Sequence, residues 1–463
     1  MFEIKIPAKA SIWYIAASTL GKAANVLILP FITRLIGQEE YGRLGVYMAL
    51  LGAASVICSP FISGTAIYKG IKEHENNKKD FINAVIVVGL SFSVILCILL
   101  FAFSSYFHIE PILFIPLSLQ IFCDVIVTSS LSLKRFYYQY KTVATMTVIS
   151  SVIPPIASII LLAAYKIGYT VRIYALLLVS FCLAIYSIVC IVRSFGKPKR
   201  EIIKYIIHHS APMLPHSIST AIFLHADKLI LSGMLGATAL AKYNIVYSLG
   251  SAMQFTVSAI ASALGPWVIR RLCAKENNRI TQLITPAIIG YTALSVCLVA
   301  ISPEAILILA PAEYADALPA LLPIALSTSF NFVNTIINTA IVYSGKEKYF
   351  VILSLINAAI CISSNFILIG SLGYLGAGAT LLLCQIVSTI IGIYFLKHSG
   401  IGNMIPIGIT ALTFGVGIIL SCAVFAYQNS IIMRTVLLIL PAIALIFCVF
   451  KAKDLLLEKK KIK

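Results

Sequence analysis

The chain has 463 residues, of which 60% are apolar and only 11% charged, with a mean hydropathy of +0.98. That balance excludes an ordinary soluble domain. The formal charge of +18 would suit a nucleic-acid binder, but the charge is scattered over short connectors between apolar stretches. Membrane topology and anionic headgroups account for it there, so membrane lipids are the expected partner and nucleic acid is not.

Taken in chain order, the apolar stretches predict about fourteen transmembrane helices. They cover 11–35, 43–68, 81–106, 111–133, 142–165, 172–193, 206–235, 240–268, 282–309, 318–343, 349–369, 374–396, 403–427 and 431–451. Basic residues accumulate in every second connector. The two tails and the connectors near 69–80, 134–141, 193–204, 270–279, 346–348 and 397–398 hold 27 of the 35 Lys and Arg. The opposite set holds Arg34, Arg43, Lys166, Arg172, Lys242 and Arg434, while Lys22 and Lys228 fall inside spans. Basic connectors stay on the cytoplasmic side, so both termini are expected inside. The first span is too long for a cleavable signal and carries Lys22 in its middle, which predicts a retained helix. The eleven cysteines show no CxxC spacing and read as small hydrophobes.

Two sets of matches hint at duplication. Leu35 and Val46-Tyr47 recur as Leu235 and Val246-Tyr247; Pro116, Asp124, Thr128 and Lys141 recur as Pro323, Asn331, Thr335 and Lys348. The expected organisation is a six-helix lobe over 1–200, a second over 201–400, and two additional helices with a basic tail over 401–463. An even number of spans per copy makes this a parallel repeat, with a central cavity between the lobes.

Several spans carry a polar stripe at helical spacing. Ser18, Lys22, Asn25 and Thr33 share a face of the first span. The fourth offers Gln120, Asp124 and Thr128; the seventh His209, His216, Thr220 and Asp227. The eighth gives Asn244, Ser251, Gln254, Ser258 and Ser262, and the tenth Ser327, Asn331, Asn334, Thr335 and Asn338. Such faces avoid lipid, either by gluing helices together or by lining water. An intramembrane Lys costs at least ~2.5 kcal/mol to insert, which favours a hydrated, cationic cavity suited to a large anionic polar substrate. Lys22, with Arg34 at the outer end of the span, is the expected anion contact. Asn25, Gln120, Gln254, Asn331, Asn334 and Asn338 are expected to face sugar hydroxyls. Asp124 and Asp227 are candidates for coupling to a Na⁺ or proton gradient, or for pairing with Lys22 and Lys228. Pro30, Pro154-Pro155, Pro212, Pro215, Pro323 and the glycines of 373–378 mark kinks or hinges. No GxSxG, HExxH, phosphate-cradling loop or DxD pair occurs, so neither an enzyme nor a resident cofactor or metal is expected.

The segments GKAANVLILPFITRLIGQEEYGRLGVY (21–47), HADKLILSGMLGATALAKYNIVYSLG (225–250) and NFILIGSLGYLGAGATLLLCQIVS (365–388) resemble polysaccharide-biosynthesis exporters. These are the O-antigen (Wzx-type) branch of the multidrug/oligosaccharidyl-lipid/polysaccharide exporter superfamily. The resemblance implies a two-lobed bundle that alternates access. It implies transfer of an undecaprenyl-pyrophosphate-linked O-antigen or capsule unit from the inner to the outer leaflet of a bacterial cytoplasmic membrane. A glycan polymerase and chain-length proteins are the implied partners. Many members have twelve spans; fourteen is the number expected of lipid II flippases and some capsule exporters. A lipid II flippase or a multidrug/cation antiporter is therefore the alternative, and a membrane polymerase or acyltransferase a more distant one.

Overall fold

The computed structural model describes residues 5–74, 77–102, 110–165, 168–192, 198–345, 347–398 and 404–457. Every regular element among them is helical, and the protein is an all-α integral membrane protein. The backbone explains why: in lipid only intrahelical hydrogen bonds satisfy every N–H and C=O of a lone apolar segment. In order, the helices are α1 Lys5–Leu27, α2 Leu29–Leu35, α3 Gln38–Ile62, α4 Thr65–Glu73, α5 Lys78–Ala102, α6 Phe114–Phe136, α7 Tyr140–Tyr165, α8 Thr170–Val192 and α9 Arg200–Ser210. They continue with α10 Leu214–Leu235, α11 Ala237–Cys273, α12 Asn277–Leu309, α13 Leu321–Tyr343, α14 Glu347–Leu372, α15 Tyr374–His398, α16 Ile407–Ala426 and α17 Ile431–Leu457. Thirteen segments of the described residues are long and apolar enough to cross a membrane. The predicted span 240–268 lies in α11, which is not among the thirteen.

The proline signals resolve differently from one another. Pro30 sits in the first turn of α2, and the first span breaks between α1 and α2 at Ile28. Pro212 and Pro215 interrupt the seventh span with a short 3-10 turn, Ala211–Met213, so an amphipathic α9 precedes α10. Pro154 and Pro155 are instead absorbed within the continuous α7. The protein removes a backbone donor at each proline, and at Pro154 the Ser158 hydroxyl donates to the carbonyl one turn back.

Packing divides the chain into two compact units, Met1–Ala241 and Lys242–Lys463. In the first, α6, α7 and α8 share a core of Cys123, Val127, Met146, Leu183 and Ala184, and α3 packs on α6 and α10. In the second, α13 is the central helix, with 83% of its apolar window buried against 17% for α17. Its neighbours stack rings against it, Phe330 on Phe414 at 3.8 Å and Phe332 on Tyr291 at 5.3 Å. The two additional C-terminal helices, α16 and α17, both pack on α12.

Each unit sorts its connectors by charge set. In the first unit, Lys199 meets Asp80 at 3.3 Å, both from the basic set; at the span ends beside that set, His74 lies against Phe81 and Tyr205, and Trp13 against Tyr140. Glu39, Arg43, Glu110, Tyr169 and Gly236 gather from the other set. In the second unit, Thr281 donates to the Met404 carbonyl at 2.9 Å on the basic side. Lys242 pairs with Asp316, and Arg434 with Glu304, among the less basic connectors. Lys166, Arg193, Lys197, Lys346 and the basic tail 459–463 lie outside the described residues.

Candidate functional site

The polar stripe of the first span is built by α1, α7 and α8. Lys22 and Asn25 are exposed. The Asn25 amide donates to the Gly21 carbonyl at 2.9 Å, and its side-chain oxygen accepts from Arg172 at 3.1 Å. Arg172 also donates to Ser158 at 3.3 Å. It is only 7% exposed, and no acidic side chain among the described residues forms an ion pair with it. A guanidinium carries five donors, so this buried cation beside the Lys22 stripe is a feature the sequence reading missed by assigning Arg172 to a connector. Arg34, the other expected anion contact, is exposed and donates to the Pro30 carbonyl at 2.8 Å.

The fourth-span stripe forms a second cluster. Gln120 is buried and donates to the Asp124 carboxylate at 3.2 Å and to the Ser180 hydroxyl at 2.6 Å, while Ser55 donates to the other Asp124 oxygen at 3.4 Å. Gln120 therefore joins α6 to α8. The acid it holds is half-buried and surrounded by neutral donors. Asp227, on α10, is fully buried.

In the second unit the expected glycan-facing residues fall into pairs. Asn331 donates to Gln254 at 2.6 Å across α13 and α11. Asn334 donates to the Gln385 side chain at 2.6 Å and accepts from Thr389 at 3.0 Å, joining α13 to α15. Asn334 is buried, whereas Asn331, Gln254 and Asn338 are partly exposed. Gln385 and Thr389, with Ser388 on the same face of α15, were missed by the sequence reading. A third acid inside a predicted span, Glu304, was also missed; Arg434, 6% exposed, binds both its oxygens and the Ala300 carbonyl.

The less basic end of the first unit holds a cavity of about 500 Å³. Arg43 stands in its wall with Tyr169 and donates to Glu39 at 2.8 Å and to Glu110 at 2.7 Å. Burial, with the Glu110 charge adding to it, raises Tyr169 above the usual phenol range, so its hydroxyl stays protonated. Gly236 closes α10 with φ +86°, a left-handed turn open to glycine. Gly42 lets α3 approach so closely that a Cβ there would lie 1.7 Å from the Ala237 carbonyl oxygen. Among the described residues no group of three or more His, Cys, Asp or Glu is placed to hold a metal ion.

With this geometry in hand, comparison with known proteins defines the class. The fold is shared with solved structures of multidrug and lipid-flipping transporters. It aligns with the lipid II flippase MurJ in an inward closed conformation over 97% of this chain and 100% of that one, at 15% identity and a TM-score of 0.70. It also aligns with a multidrug resistance MATE family transporter in an inward-facing conformation, over 82% of this chain and 95% of that one. The identity is 15% and the TM-score 0.64. An outward-facing MATE family structure aligns over 86% and 96%, at 15% identity and a TM-score of 0.58. A search of curated proteins found no sequence match. The family of polysaccharide biosynthesis proteins matches residues 8–272, more than half of the chain, and the chain belongs to that family.

Proposed function

We propose that the protein translocates a polyprenyl-pyrophosphate-linked oligosaccharide, an O-antigen or capsule repeat unit on undecaprenyl pyrophosphate, from the inner to the outer leaflet of a bacterial cytoplasmic membrane. The observation that carries this reading is the family match over 8–272, which spans the cationic stripe of the first unit. A pyrophosphate is a strong acceptor of charge-assisted hydrogen bonds. Lys22, exposed on α1 one turn from Asn25, which accepts from the buried Arg172, is the residue assigned to it. Arg34 attracts the same group from its place on α2, and the amides of Asn25, Asn331, Gln254 and Asn338 serve the sugar.

The cycle is one of alternating access, and no covalent step is required. Asp124 and Asp227 are the acids assigned to ion coupling, with Na⁺ or a proton as the driving ion. Both termini are assigned to the cytoplasm from the basic connectors, and a glycan polymerase with chain-length proteins receives the product. Lipid II shares the polyprenyl-pyrophosphate group, so the discriminating step is the glycan.

The test is Lys22→Ala in a strain whose only copy of the exporter is this chain. Surface glycan should be lost while the variant still inserts at wild-type level; normal surface glycan would remove Lys22 as the anion contact.

A further inference from the structure

The cavity at the less basic end of the first unit draws its charged groups from connectors rather than from the polar stripes, and the proposed transport cycle assigns it no role. We propose that it is a saccharide-binding subsite that holds a neutral sugar of the glycan at the outer end of the first unit. This deepens the flippase reading and rests on it for the source of the sugar.

Its volume of about 500 Å³ is in the range of small-molecule pockets, ~300–1,000 Å³. Its polar groups come from separate connectors and are already held in place: Arg43 ties Glu39 to Glu110, with Tyr169 in the same wall. Two carboxylates against one guanidinium leave a formal excess of one negative charge, which disfavours phosphate or an acidic sugar. The same groups suit hydroxyls, because the exposed carboxylate oxygens accept and Arg43 donates. Beside Ser232, the remaining wall is Val46, Leu113, Ala237 and tyrosine rings, which offer apolar and aromatic surface to the C–H face of a pyranose. Gly233 and Gly236 lower one side of the rim.

An independent observation points the same way. Tyr47 lines the cavity and is 1% exposed, yet its hydroxyl has no hydrogen-bond partner among the described residues. Buried hydroxyls are rarely left so, because an unsatisfied one costs ~1–3 kcal/mol. A phenylalanine would fill the same core space without that cost. A ligand hydroxyl supplies the partner once the Tyr47 ring, whose oxygen is closed to solvent in this structure, turns toward the cavity.

The test uses the full chain in nanodiscs and saturation-transfer NMR with four free sugars: a hexose, an N-acetylhexosamine, a 6-deoxyhexose and a uronic acid. At least one neutral sugar should bind, and the uronic acid should bind more weakly than its neutral counterpart. Tyr47→Phe should weaken binding about fivefold, the worth of one neutral hydrogen bond, and Glu110→Gln should weaken it further without loss of folded protein. No binding by any of the four, binding unchanged in both variants, or preference for the uronic acid would each overturn the proposal. Glycan translocation is measured in parallel on the same preparations. Sugar binding that depends on Tyr47 in a chain that does not translocate lipid-linked glycan would keep the subsite and overturn the flippase reading. Translocation without such binding would do the reverse.

Discussion

Replacing Gly42 by alanine adds one methyl group where α3 meets the turn between α10 and α11. The added Cβ would lie 1.7 Å from the Ala237 carbonyl oxygen and 2.4 Å from its carbonyl carbon. Real Cβ atoms essentially never approach closer than 3.0 Å, so the two backbones must separate by at least 3.0 − 1.7 = 1.3 Å. Both contacts are main chain, and no side-chain rotation relieves them. Overpacking of this kind costs ~1–3 kcal/mol, occasionally more. For a unit of this size each kcal/mol shifts the melting temperature by about 2–4 °C, giving a loss of about 2–12 °C. The control is Gly415→Ala in α16, where nothing lies within 4 Å of the new Cβ. There alanine should be neutral or stabilising, since a helical glycine is worth ~0.5–1 kcal/mol less than alanine. Thermal unfolding of both variants in the same detergent, followed by the loss of monodisperse protein, reads the difference. Equal melting temperatures for Gly42→Ala, Gly415→Ala and wild type would refute the close approach of α3 to Ala237. With it would go the wall of the cavity that Arg43 and Tyr47 share.

Other expectations follow from the ion pairs and from the ordering of connectors. Arg434→Ala removes a cation that binds both Glu304 oxygens and the Ala300 carbonyl; it should cost ~1–3 kcal/mol. Because Glu304 is half exposed, the coupling to Glu304→Gln in a double-mutant cycle should be nearer ~1 kcal/mol; strictly additive losses would show that the pair holds α17 to α12 only incidentally. Arg172→Gln should lower the affinity for inorganic pyrophosphate and leave the melting temperature within a few degrees, whereas a large loss of stability with unchanged pyrophosphate binding would make Arg172 a packing residue. In a cysteine-free background, Asn77→Cys should react with an impermeant thiol reagent from the cytoplasmic side and Glu39→Cys from the opposite side; the reverse pattern inverts the topology.

The helices were legible because a bilayer leaves little choice. An apolar run of about twenty residues has to be a helix, and the alternation of Lys and Arg between connectors is a property of the sequence itself. What the connectors bring together was only partly legible. Arg172 and Arg434 were counted with the connector cations because they stand among the first residues of their predicted spans, 172–193 and 431–451. In the structure α8 begins at Thr170 and α17 at Ile431, so each arginine falls in a first turn and is carried into the core. The Arg43 network joins residues 67 apart in sequence, and no periodicity encodes that. Gln120 illustrates the opposite error. Its helical phase with Asp124 was right, but spacing alone does not distinguish a side chain that lines water from one that bonds to Ser180 inside a helix seam. Pro212 and Pro215 did break the seventh span, while Pro154 and Pro155 did not break α7, where the Ser151 carbonyl left without the N–H of Pro155 accepts from the Asn25 amide at 3.5 Å.

The most direct measurement places the purified chain in proteoliposomes with a fluorescent undecaprenyl-pyrophosphate-linked oligosaccharide confined to one leaflet, and follows its arrival in the other with a membrane-impermeant quencher. The flippase account predicts protein-dependent transfer that falls to the level of empty liposomes in Lys22→Ala. Transfer no faster than in empty liposomes for the wild-type chain, with and without Na⁺ and proton gradients of either direction, would contradict it.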